Sequence, residues 1–237
     1  MPTYPAAAAH GPIELIANDV FWVRGSIGLG PGLRITRNMV IVRSGDTLTL
    51  IHAVRLSPEG EAELHKLGTV KNVVKAAHAH GQDDAYYLDK FDATYWALPK
   101  GARDQDPKVQ QELSDENLPF DDAKLFEFRE TKEKEAVLLV ERGDGILIAG
   151  DALQHWPDTS GCPLPAKLVV RLMGFLKYRA QIGPPWRKAM TPEAGTLHSD
   201  FQRLADLDFV HFVGAHGQPL MNTAKQDLKT TIEATFS

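Results

Sequence analysis

Three short segments of this 237-residue chain carry side chains able to hold a metal ion: Ala77-His78-Ala79-His80-Gly81-Gln82-Asp83-Asp84, Gly150-Asp151-Ala152-Leu153-Gln154-His155 and Gly214-Ala215-His216-Gly217. Imidazole and carboxylate donors together suit Zn, Mn or Fe. Cys162 is the single cysteine, so a thiolate zinc cage, a Cys-x-x-Cys redox pair and an intrachain disulfide are all ruled out. In extended backbone, residues i and i+2 project to the same side, which predicts that His78 and His80 aim at one point. Gly81 permits the reversal that would bring Asp83 or Asp84 back to it. His10, His52, His65, His198 and His211 have no such partner spacing and read as surface or satisfied core residues. No Gly-x-Ser-x-Gly elbow is present, which counts against a serine hydrolase.

Each of the three segments directly follows a strand-like run: VKNVVKA, ILIA and FVHFV. Ahead of them, IELIA, VFWVR, MVIVR and TLTLIHA read as a β-meander, with the glycine-rich stretch 25–32 as a wide turn whose spacing misses that of a phosphate loop. Ser57-Pro58 begins a helix that ends near Gly68, and DDAYYLDKF forms a second helix with two acids in its first turn. Those acids could therefore serve the helix dipole instead of a metal. The stretch 99–122 is polar and loop-like, with room for a short helix at 108–113. Strands return at KLFEFRE, AVLLVER and ILIAG, the last two joined by Gly143-Asp144-Gly145. Residues 166–182 have helical apolar spacing and read as an amphipathic core helix; a helix at 196–207, a strand at 209–214 and a helix near 222–235 complete the chain.

Composition is that of an ordinary globular chain, at 43% hydrophobic, 24% charged and 8% aromatic residues. Lys and Arg total 26 against 31 Asp and Glu, a net charge of −5 that disfavours a dedicated nucleic-acid binder. Residues 1–12 read as a loose leader and 13–237 as a single domain. No apolar run approaches the roughly 20 residues that span a bilayer. These features predict a cytoplasmic protein acting on a small molecule, with no nucleic-acid or membrane partner; oligomeric state is not legible.

The order His-x-His with a nearby acid, then Gly-Asp after a later strand, then a late His-Gly, resembles the metallo-β-lactamase fold superfamily over essentially the whole chain from Ile13. The resemblance implies an α+β fold, a four-layer αββα sandwich with metals held by loops along one edge of two sheets and a metal-bound hydroxide as the nucleophile. Carried over, it implies metal ligands His78, His80, Asp83, Asp151 and His216, with Asp83 and Asp84 near the chemistry. The cation would be divalent, Zn foremost with Mn or Fe as alternatives, as one ion, two, or none. Two departures bear on this. One extra residue precedes Asp83, so either Asp83 takes the family's acid and Asp84 its next His, or Gln82 and Asp83 fill those places. No His lies between His80 and His155, so His155 or Glu130 would have to supply a missing ligand. The expectation is a metal-dependent hydrolase of an ester, thioester, amide or phosphoester, with a non-catalytic binding or scaffold protein bearing a degenerate site as the alternative.

Overall fold

Alternation along the strands builds the layers. In the strand Leu33–Ser44, Met39 and Ile41 face one way and Val40 and Val42 the other; in Ala136–Val140, Val137 and Leu139 oppose Ala136, Leu138 and Val140. Both faces of each strand are apolar because both are covered, as in any sheet packed on two sides. The computed structural model describes residues 4–30 and 32–237; Met1 to Thr3 and Pro31 lie outside the described residues.

The first sheet runs β1 (Glu14–Ala17), β2 (Val20–Gly30), β3 (Leu33–Ser44), β4 (Thr47–Ile51), β5 (Thr69–Lys75), β6 (Thr94–Ala97) and β7 (Gln111–Glu112). It is antiparallel up to β4 and parallel from β4 onward. The second sheet contains β8 (Ala123–Glu127), β9 (Ala136–Val140), β10 (Ile146–Ile148) and β13 (His211–Val213), in the order β13-β10-β9-β8 with β10 and β13 parallel. Val40, Ile51, Val74, Leu138, Ile148 and Val213 meet between the sheets. Helices α1 (Pro58–Leu67) and α2 (Asp84–Phe91) cover the first sheet's outer face through Leu64 and Tyr87. Helices α4 (Pro184–Met190), α5 (His198–Asp206) and α6 (Ala224–Phe236) cover the second through Trp186, Phe201 and Leu228. The layers are therefore α, β, β, α.

Three local readings of the sequence are corrected. The glycine-rich stretch is not a wide turn: β2 continues through it and pairs with β3 as far as Gly30 opposite Leu33. At Gly25 a Cβ would lie 2.5 Å from Val54 Cγ1, so glycine there lets the hairpin lie against the neighbouring chain. The stretch 108–113 holds β7, not a helix. The segment 166–182 is helical only in α3 (Leu164–Leu172), which buries Ala166 and Val170 while Leu164, Leu168 and Leu172 point outward. The chain then reaches β12 (Gln181–Ile182), paired with β11 (Leu153–Gln154). Residues 4–12 form no regular element but are tied down, with Gly11 N–H donating to Arg24 O and Ser57 N–H to His10 Nε2. No helix among the described residues is long and apolar enough to cross a membrane.

Candidate metal centre

Parallel pairing sends the C-terminal ends of β4 and β5 to one edge of the first sheet, and that of β10 and β13 to one edge of the second. The sheets are joined there: Ala136 N–H donates to Ala76 O, and a Cβ on Gly150 would lie 2.2 Å from Ala77 Cβ. Glycine at 150 thus lets the loop after β10 touch the loop after β5. The turn after β13 is pinned to β3, with Asn38 Nδ2 donating to Gly214 O and Gly217 N–H to Thr36 Oγ1.

This arrangement brings together His80, Asp151 and His216, whose ligand atoms all lie within 4.8 Å of one another. Asp151 Oδ1 is 3.1 Å from His216 Nε2, and Oδ2 is 3.4 Å from His80 Nε2. Gln154 Nε2 also donates to Asp151 Oδ1 at 3.2 Å. His216 Nδ1 contacts the Thr36 carbonyl, which can only accept, so this ring nitrogen carries the proton. Neutral His216 would then turn an Nε2 lone pair toward a carboxylate. Two acceptors this close need a cation between them, either a proton or a metal. His80 Nε2 is likewise buried beside the carboxylate without a hydrogen-bond partner. The charges follow. Burial opposes ionisation of Asp151, but facing His80 and His216 holds its carboxyl well below the usual carboxylate range. Burial also lowers the His216 pKa, but Asp151 and the Thr36 carbonyl outweigh this and raise it. The donor set fits a divalent cation.

The other expected site residues lie elsewhere. His78 and Ala79 form a turn, so the two-residue alternation does not apply; His78 gives its N–H to Glu135 Oε2 at 2.8 Å and its ring stays outside the triad. Asp83 faces away: its carboxylate pairs with the buried Arg37 guanidinium and accepts the Arg55 N–H. Asp84 is fully buried near Tyr95 and Lys75, and burial raises its pKa to about 7 despite the opposing influence of Tyr95, Lys75 and Arg37. His155 is committed through Nδ1 to Arg179 O, and Glu130 packs its N–H on Asp200. Neither supplies a further ligand to the triad.

Two buried residues were not among those expected at this edge. His52, one residue beyond β4, has its ring centroid 5.0 Å from that of His80. Glu135 supports the His78 turn, and burial raises its pKa to about 8 although the His78 N–H favours the carboxylate. The signal for His52 was the parallel pairing of the strands ending at 51 and 75, which its lone position in the sequence does not announce.

Comparison with solved structures finds this architecture among the metallo-β-lactamases. VMB-1 is 12% identical with a TM-score of 0.64, covering 95% of this chain and 97% of its own. The metallo-β-lactamase from Hirschia baltica is 14% identical with a TM-score of 0.62, at 94% and 97% coverage. FIM-1 from Pseudomonas aeruginosa, in its mono-zinc form, is 14% identical with a TM-score of 0.61, at 97% of both chains. The chain has the metallo-β-lactamase fold. No protein-family profile matches the sequence, and no curated protein does. Within the metallo-β-lactamase fold the triad occupies a sheet edge where four strand ends converge, the kind of position where loops deliver functional groups on a rigid scaffold.

Proposed function

We propose that the chain is a metal-dependent hydrolase of a small ester, thioester, amide or phosphoester, with His80, Asp151 and His216 holding a divalent cation, Zn foremost. The observation that carries this reading is the His216 ring: its Nδ1 proton is committed to Thr36, and its Nε2 faces Asp151 at 3.1 Å. When bound, such a cation supplies Lewis-acid activation of water and of the substrate's carbonyl or phosphoryl oxygen. The chain's own contribution is to hold the donors ready. Thr36 fixes the His216 tautomer, and Gln154 holds one Asp151 oxygen. Asp151 is the most open of the three, its side chain 22% exposed against 7% for His80 and 11% for His216, so a substrate would meet the carboxylate edge first.

The involvement of Asp83 in the Arg37 ion pair and the burial of Asp84 favour a second reading, a binding or scaffold protein of the same fold with a reduced centre. Protein purified without chelator should be assayed for metal by elemental analysis and for turnover of activated esters and phosphodiesters. Bound metal with turnover abolished by Asp151→Asn supports the hydrolase. Bound metal without turnover, or no bound metal at all, supports the second reading and overturns the hydrolase.

A further inference from the structure

The stretch 159–180 carries Lys167, Arg171, Lys177 and Arg179 and no acidic residue, in a chain where acids outnumber Lys and Arg by 31 to 26. Helix α3 within it turns a stripe of leucines to solvent. Leu164, Leu168 and Leu172 recur every four residues and so share one face, and they are 81%, 59% and 77% exposed. The opposite face is the packed one, with Ala166 and Val170 joining Trp156, Leu33 and Ile35 in an apolar cluster. A single exposed leucine is ordinary, but a group of them marks a contact surface. Among the described residues the large apolar side chains left exposed are Leu15, Leu29, Leu164, Leu168, Leu172 and Met173. Of these, Leu29 sits at the tip of the β2–β3 hairpin, whose Gly28, Gly30 and Arg34 line one groove with Cys162 and Pro163 at the start of α3. Only Leu15 lies away from this surface.

Cations border the stripe. Lys167 and Arg171 each precede a stripe leucine by one residue, about 100° round the helix, which places both along one flank. Asp158 lies near Lys167, and Arg179 pairs with Asp227 at 3.5 Å. Arg34, Arg171 and Lys177 are exposed and have no acidic partner among the described residues. We propose that the outer face of α3, with the adjoining hairpin tip, docks on an anionic bilayer surface. The leucines enter the boundary between headgroups and acyl chains while Arg34, Arg171 and Lys177 meet the anionic headgroups, the arrangement by which an amphipathic helix lies on a membrane. A second copy of the chain fits this face less well, because a two-fold contact would set the same unpartnered cations against each other. The proposal departs from the expectation of no membrane partner, which went with placing this helix in the core.

The test is co-sedimentation of the full chain with vesicles of phosphatidylcholine alone and of an equimolar mixture of phosphatidylcholine and phosphatidylserine. At low salt, three cations near the surface should make binding to the mixed vesicles about 100-fold tighter than to the neutral ones. Added salt should weaken it. Combining Leu164→Ser, Leu168→Ser and Leu172→Ser should weaken binding to the mixed vesicles by more than about 10-fold with circular dichroism and melting unchanged, since these side chains support no packing in the fold. Combining Arg171→Gln and Lys177→Gln should weaken binding to the mixed vesicles and leave binding to neutral ones as it was. Should the triple variant fail to fold, Leu168→Ser alone carries the same comparison. Wild-type binding that is no tighter to mixed than to neutral vesicles, or that the leucine substitutions leave intact, overturns the proposal. So does a monomer that binds no vesicle. A wild-type dimer that binds no vesicle and that the leucine substitutions make monomeric in sedimentation velocity overturns it and gives the face to a second copy.

Discussion

His216 Nε2 lies 3.1 Å from Asp151 Oδ1 while the opposite ring nitrogen is committed to the Thr36 carbonyl. In the metal-free protein the cation between them is a proton, in keeping with the raised His216 pKa. Metal and proton therefore compete for one nitrogen. Apparent Zn or Mn affinity should rise with pH across the range from the ordinary histidine value of 6.5 up to the higher folded value, with a proton released per ion bound. Calorimetry in buffers of different ionisation enthalpy measures that release. A binding constant independent of pH over this range would show that His216 is not displaced from its proton.

Glu135 is a buried carboxyl whose pKa is raised from 4.5 to about 8. The native state therefore binds a proton that the unfolded chain has already released. Its contribution to stability is fully present below pH 4.5 and is lost as pH rises to about 8, with a slope approaching about 1.4 kcal/mol per pH unit. Glu135→Gln, neutral and of the same shape, should match wild type near pH 5 and exceed it in urea midpoint at pH 9. Identical pH dependence of the two proteins would show that Glu135 ionises in the fold without cost.

Asp83 separates a structural role from a ligand's. Its carboxylate neutralises Arg37, itself 5% exposed, and accepts the Arg55 N–H. Removing one member of a buried ion pair costs about 3–5 kcal/mol because the other charge stays buried. Asp83→Ala should lower the urea midpoint accordingly and leave metal stoichiometry unchanged. Loss of metal with unaltered stability would return Asp83 to the centre.

These residues also mark how far the sequence could be read. Asp151 and His216 were legible because each sits just past a buried apolar strand with glycine at its side, a pattern that survives without knowledge of the fold. His80 was legible only as part of the His-x-His loop that follows β5, and its expected pairing with His78 fails because the two-residue alternation ends where the chain turns at Ala77 to His80. Asp83 was misplaced because its partner, Arg37, is 46 residues away on β3, a proximity that only the sheet creates. His52 was hidden by the same circumstance, its neighbour being set by the pairing of β4 with β5. Most strands were legible from their apolar runs and the four layers followed only from the resemblance, whereas α3 shared the periodicity of a core helix and turned its leucines outward.

Asp151 touches both histidines and so gives the sharpest single substitution. An Asn of the same shape can donate an amide hydrogen to the His216 Nε2 lone pair, so the metal-free fold should be spared and its circular dichroism unchanged. The charge that attracts a cation is gone, and affinity for Zn or Mn should fall by more than the roughly 100-fold that loss of a supporting hydrogen bond can cost. Wild-type protein in metal at about 100 times Kd should gain about 2.7 kcal/mol by mass action. For a chain of this length that corresponds to a melting shift of about 5–10 °C, at about 2–4 °C per kcal/mol. Asp151→Asn under the same conditions should show no shift, and chelator should lower the melting temperature of wild type alone. A variant that keeps both the metal and the shift would remove Asp151 from the centre, and with it the reason for His80 and His216 to converge there.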